Sequence, residues 1–95
     1  MDGIYFVTMK TPIGEMQGEI TIITNNNKIK GNIKSMGMNS NFSNGIINGD
    51  VVKFSGIINS IIGNISYEAV GTIENGNIKL VANTNKGRFE IIGKK

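Results

Sequence analysis

The sequence predicts an all-β protein: one domain, residues 1–95, folded as an antiparallel up-and-down meander of about eight strands closed into a barrel. Three observations carry this. Apolar and polar residues alternate along nearly the whole chain, and helical spacing is almost absent. Glycine and asparagine interrupt the alternation at regular intervals. The interruptions are of two kinds that take turns along the chain, as repeated strand–turn–strand–turn units of roughly two dozen residues would produce.

The elements follow in order. "IYFVTMK" (4–10) is β-branched and aromatic, with two candidate inner faces, Ile4/Phe6/Thr8 and Tyr5/Val7/Met9. "EMQGEITIIT" (15–24) places Met16, Gly18, Ile20 and Ile22 on one face. "KIKGNIKS" (28–35) sets Ile29, Gly31 and Ile33 against Lys28, Lys30, Asn32 and Lys34. "SNFSNGII" (40–47) alternates more weakly, with Phe42, Asn44 and Ile46 on one side. "VVKFSGII" (51–58) offers Val52, Phe54, Gly56 and Ile58. "NISYEAVGTI" (64–73) offers Ile65, Tyr67, Ala69, Gly71 and Ile73. "IKLVANT" (78–84) contributes Ile78, Leu80 and Ala82, and "RFEIIGK" (88–94) contributes Phe89, Ile91 and Gly93.

One set of turns is rich in asparagine: "NNNK" (25–28), "NGD" (48–50) and "ENGN" (74–77). Asn-Gly is a strong hairpin signal because both residues tolerate positive φ. The other set is "TPIG" (11–14), "SMGM" (35–38), "SIIG" (60–63) and "TNKG" (84–87). "KTPIGEMQGEITI" is echoed by "NSIIGNISYEAVGTI" and by "NTNKGRFEIIGKK". That recurrence makes Pro12 and Gly14 a hairpin bend at one rim rather than a ligand loop. A flat meander of this length would expose two long edges, and closure removes them. Gly18, Gly31, Gly56, Gly71 and Gly93 fall mid-strand on the apolar face. An inward glycine lets a strand bend at a barrel corner, and it also leaves space inside.

Composition removes several chemistries. The chain has no cysteine and no histidine, hence no thiol nucleophile, no disulfide and no imidazole base or metal ligand. No metal site and no cofactor are expected. Glu15, Glu19, Glu68 and Glu90 fall on outward faces, so no carboxylate pair faces a cleft. No phosphate-cradling loop is present. The net charge of +3 is mild. Lys28, Lys30, Lys34 and Lys53 line outer strand faces without interleaved aromatics, which suits solubility and edge protection and argues against a nucleic-acid partner. "MDGIYFVTMK" has no signal-peptide pattern and no apolar run approaches a membrane span, so a cytoplasmic location without membrane attachment is the expectation.

Gly3-Ile4-Tyr5 resembles the Gly-x-Trp opening of lipocalin-like (calycin) barrels. The whole chain resembles small bacterial lipocalin-like domains. Lys10-Thr11-Pro12-Ile13-Gly14 matches their Lys-Thr-Pro-Met-Gly-type turn, and Phe89 to Gly93 matches their closing Phe-x-x-x-Gly strand. The resemblance implies that Tyr5, with Val7 and Met9, points inward at the barrel floor. It also implies that Lys94 or Lys95 takes the place of the basic residue that packs across the aromatic. Tyrosine stands where the family has tryptophan, and lysine where it has arginine.

These readings converge on the barrel interior as a small-molecule site, with Tyr5, Met16, Phe42, Asn44, Phe54, Tyr67 and Phe89 as its ligand-binding residues. The expected role is binding a small apolar molecule or serving as an accessory binding domain. The alternatives are a cyclase or isomerase that works by shape, and a structural interaction module. With Tyr5 inward, Ile4 and Phe6 face outward near Ile92 and Val81, and that apolar wall predicts a homodimer.

Overall fold

The structure is a computed structural model that describes residues 2–60 and 63–95. Among the described residues eight strands follow in chain order: β1 (Gly3–Thr11), β2 (Gly14–Asn25), β3 (Lys28–Ser35), β4 (Met38–Asn48), β5 (Val51–Ser60), β6 (Gly63–Glu74), β7 (Asn77–Thr84) and β8 (Gly87–Lys94). Each pairs antiparallel with the next. β8 returns to β1 over rungs from Phe6↔Lys94 to Lys10↔Glu90, so the meander closes as a barrel. Alternation is read out directly as burial: Tyr5, Val7 and Met9 on β1, Ile65, Tyr67, Ala69 and Ile73 on β6, and Ile78, Leu80 and Ala82 on β7 all face the core. The inner face of β1 is therefore the one that begins with Tyr5.

Four of the mid-strand glycines, Gly18, Gly31, Gly71 and Gly93, are corners where neighbouring backbone comes close, and Gly56 instead faces the Tyr67 ring. A Cβ at Gly31 would lie 1.8 Å from the Thr21 carbonyl oxygen, and one at Gly71 would lie 1.9 Å from the Lys79 carbonyl oxygen. The neighbouring backbone occupies the space that a side chain would need. Of the two roles expected of these glycines, the bend is the one realised, and Gly31 and Gly71 leave no room for a ligand.

β4 departs from the simple alternation expected of it. Gly31 pairs with Phe42, and Ile29 pairs with Gly45. Two steps along β3 oppose three along β4, so β4 carries one extra residue. The bulge reverses which side faces in. Phe42 and Gly45 are buried and Ile47 packs against the core, whereas Asn44 and Ile46 are exposed. Asn44 is thus corrected from an inner to an outer position, where its amide donates to Ser55 Oγ at 2.9 Å.

The same stretch forms a seam. β5 and β6 pair over ten rungs from Val51↔Thr72 to Ser60↔Gly63, but β4 and β5 share only three, Ile46↔Lys53, Ile47↔Val52 and Asn48↔Val51. Further along, side chains take over. Ser40 Oγ donates to the Ile57 carbonyl at 2.9 Å, and the Ser55 amide donates to Asn44 Oδ1 at 3.2 Å.

The two sets of turns lie at opposite ends of the barrel. The asparagine-rich end uses positive φ at Asn26, Gly49, Asn75 and Gly76 and also holds both termini. At the other end three turns share a latch: Thr11, Ser60 and Thr84 hydroxyls donate to the Gly14, Gly63 and Gly87 carbonyls at 2.8, 2.7 and 2.6 Å. The middle of the expected "SIIG" turn, residues 61 and 62, lies outside the described residues. "SMGM" is the exception in its set. Ser35 turns inward and donates to the Gln17 carbonyl at 2.7 Å, and Met36 and Gly37 both take positive φ, 47° and 83°.

Candidate ligand site at the open end of the barrel

The asparagine-rich end is a sealed floor. Tyr5, Ile22, Ile29, Val52, Ile73 and Ile78 are each no more than 2% exposed and fill it. Lys95 crosses beneath, with Nζ 5.7 Å from the Tyr5 ring centroid, and its amide bonds to the Gly76 carbonyl. The basic residue expected from the chain end is therefore Lys95. Burial, with the Asp2 charge adding to it, pushes the Tyr5 hydroxyl pKa up. The Asp2 carboxylate accepts from the Thr24 amide at 2.8 Å and from its hydroxyl, which holds its own pKa below the usual value.

Among the described residues the other end is open. A cavity of about 480 Å³ lies among the β1–β2 turn, the β3–β4 turn and the end of β5. Ile13, Met16, Met36, Met38, Ile65 and Phe89 supply its apolar wall, and Thr11, Asn59 and Ser60 border it. Deeper in the barrel is a second cavity of about 20 Å³. Met16, Met38, Ile65 and Phe89 line both, so these four side chains form the partition between mouth and interior.

Tyr67 reaches the inner cavity from β6. Its ring meets Phe54 edge-on, at 6.1 Å between centroids and 83° between planes. Phe54 in turn stacks on Phe42 at 4.0 Å and 15°. The residue opposite Tyr67 on β5 is Gly56, where a Cβ would come within 2.8 Å of the Tyr67 hydroxyl. Glycine there lets the phenol lie across β5. The hydroxyl is buried and has no hydrogen-bond partner among the described residues. Burial pushes its pKa up; the neighbouring Ser40 hydroxyl tempers that rise without reaching hydrogen-bond geometry.

Of the residues expected to bind a ligand, Met16, Phe54, Tyr67 and Phe89 border the inner cavity, and Phe42 backs them through its stack on Phe54. Tyr5 does not join them, because it belongs to the floor at the opposite end. Asn44 lies outside. Met36, Met38, Ile13 and Ile65 were not among the expected site residues. The available signal was methionine: four of the chain's five, Met9, Met16, Met36 and Met38, border the two cavities. Among the described residues no three carboxylates converge on a metal-sized space.

On the outer wall Ile4, Phe6 and Ile92 are exposed and Val81 is half-buried. The registers interleave them with polar groups. Phe6 lies between Lys94 and Glu19, Ile92 between Thr8 and Lys79, and Val81 between Val70 and Glu90. Along the rungs they step from Ile4 through Phe6 and Ile92, which faces Thr8, to Val81 at the level of Lys10, so they form a diagonal string divided by charges rather than the compact patch expected.

Fold and cavity together define a closed eight-stranded antiparallel β-barrel with one sealed and one open end. Among solved structures, the chain is similar to a redesigned β-barrel, mFAP1, bound to DFHBI. The TM-score is 0.72, with 14% identity over 99% of this chain and 94% of that one. The likeness is one of fold. No protein-family model and no curated protein matches the sequence.

Proposed function

We propose that the protein is a lipocalin-like barrel that binds a small, largely apolar molecule through its open end. The observation that carries this is the mouth itself, about 480 Å³ of mostly apolar concavity standing over a partition of movable side chains. Binding sites for small molecules combine such walls with a few polar groups. Methionine, unbranched and polarizable, adapts to varied apolar shapes, and three methionines border the mouth. The solved barrel of similar fold is bound to a small molecule, DFHBI, which supports the reading by analogy. A neutral naphthalene dye whose emission depends on its surroundings tests it. The wild type should take up one dye per chain, and Met38→Trp, which fills the mouth, should abolish uptake while the barrel still folds. Equal uptake by both would place the dye elsewhere and end the proposal.

The second reading concerns assembly. Phe6 is 61% exposed, with Ile4 and Ile92 beside it, and this supports a homodimer through the β8–β1 wall. Sedimentation of the wild type and of Phe6→Lys tests it. A wild type that is monomeric at roughly tens of micromolar, where such an interface should hold, refutes it.

A further inference from the structure

The chain has five methionines and no cysteine, histidine or tryptophan, so thioether sulfurs are the atoms that a two-electron oxidant such as hydrogen peroxide would attack. The four described methionines, Met9, Met16, Met36 and Met38, all border the two cavities at the open end. Their exposure is graded. Met36 is 79% exposed, Met16 and Met38 are half-buried where the mouth meets the interior, and Met9 is buried behind them. The mouth therefore leads peroxide, a molecule little larger than water, to Met16 and Met38 in the folded barrel. A sulfoxide formed there would bring a strong hydrogen-bond acceptor to a place without a free donor. Ser35 and Thr84, at the inner cavity, already donate to the Gln17 and Gly87 carbonyls. Tyr67 holds its hydroxyl over Gly56, which borders neither cavity. No lysine or arginine borders either cavity. Turned inward, the sulfoxide oxygen is buried unpaired, which is costly. Turned outward to water, the side chain takes up the room in the mouth that a guest would use.

We propose that Met16 and Met38 are oxidation sites through which peroxide closes the ligand site. The inference rests on the proposal that the open end binds an apolar molecule, and it adds the regulation of that same site. In each step the sulfur gives an electron pair to one peroxide oxygen. The O–O bond breaks, an S–O bond forms, and the other oxygen leaves as water. Sulfur is oxidised by two electrons and peroxide is reduced by two. Methionine sulfoxide reductases reverse the step: two thiols become a disulfide, and the sulfoxide oxygen leaves as water.

The test oxidises the wild type with hydrogen peroxide, removes the peroxide, and titrates with 2-acetylnaphthalene, a neutral ligand. Peptide mass spectrometry should find Met36 oxidised first, Met16 and Met38 next, and Met9 last. Oxidation of Met16 and Met38 should weaken binding about tenfold or more, the effect of burying one unpaired polar group, with β-sheet dichroism kept. Methionine sulfoxide reductases with a dithiol should restore the affinity. Two variants assign the loss, each read as the ratio of its own affinity before and after peroxide. Met36→Leu should lose as much as wild type. Met16→Leu/Met38→Leu should lose less than about twofold, as a change at the exposed Met36 would give. An equal loss in the double variant overturns the inference and leaves the binding proposal standing. So does Met16 and Met38 oxidising no faster than Met9, affinity unchanged after both are oxidised, or a loss that comes with collapse of the dichroism. If the untreated wild type binds no 2-acetylnaphthalene, the binding proposal fails, and this inference with it.

Discussion

The two ends of this barrel are made by the same strands and packed to different standards. At the floor Ile22, Ile29, Val52, Ile73 and Ile78 lock together under Tyr5 and Lys95. At the mouth the corresponding positions are Met9, Met16, Ile58, Ile65 and Phe89, joined by Met38 from a turn unlike its neighbours. Branched side chains with few rotamers specify one arrangement, and methionines permit several. The difference separates two demands: the floor holds the barrel shut, and under the proposed binding role the mouth is the end left free to rearrange around a guest.

The strongest way to break that contrast is at a corner. Gly71→Val should abolish the folded barrel, because the new Cβ would overlap the Lys79 carbonyl. Loss of cooperative β-sheet dichroism would show it, and a folded Gly71→Val would mean that the glycine is space rather than corner. Next come truncations. Ile22→Ala and Ile73→Ala at the floor should each cost about 2–5 kcal/mol in urea unfolding. Met38→Ala at the mouth should cost about 1 kcal/mol or less, because the side chain is only partly buried and its neighbours can close around the gap. Equal costs at both ends would erase the distinction. The seam offers a local test. Amides of β4 and β5 that face one another beyond the Ile46↔Lys53 rung should exchange with solvent faster than the amides paired between β5 and β6. Uniform protection across both interfaces would contradict the side-chain-bridged seam.

The smallest expected effect is electrostatic. Burial raises the Tyr67 pKa in the folded state, so the unfolded chain gives up this proton first, near pH ~10. Its contribution to stability is complete below that pH and declines as pH rises toward the folded pKa. Tyr67→Phe should therefore lose less stability than wild type on going from pH ~9 to ~11, read from melting temperatures across that range. Parallel losses would mean that Tyr67 titrates alike in both states.

Most of the floor was legible in the sequence, because period-two alternation needs no knowledge of neighbouring strands. Ile22, Ile73 and Ile78 face inward as that pattern requires, whereas on β1 the pattern left two faces open and the resemblance chose the one with Tyr5 and Val7. The Gly3-Ile4-Tyr5 resemblance correctly anticipated a basic residue from the chain end beneath Tyr5. The β4 face was not legible. A bulge adds one residue to one strand only relative to its partner, and nothing in "SNFSNGII" marks which residue is extra, so Asn44 was expected to face inward. For Gly31 and Gly71 the sequence favoured the corner but left space inside as an alternative, since the choice depends on the backbone of the next strand. Met36 and Met38 belong to a turn whose sequence, "SMGM", resembles its three counterparts in spacing but not in hydroxyl latch. The mouth was missed for that reason: it is built at turn ends, where alternation has already stopped.

The central claim is that a guest enters at the methionine end and leaves the floor untouched. Methyl NMR of the ¹³C-labelled wild type titrated with 2-acetylnaphthalene tests it most directly. The methionine methyls of Met9, Met16, Met36 and Met38 should shift and saturate at one ligand per chain, while the δ1 methyls of Ile22, Ile29 and Ile73 stay where they are. Shifts confined to Ile4 and Ile92 on the outer wall, or appearing first at the floor isoleucines, would contradict the account.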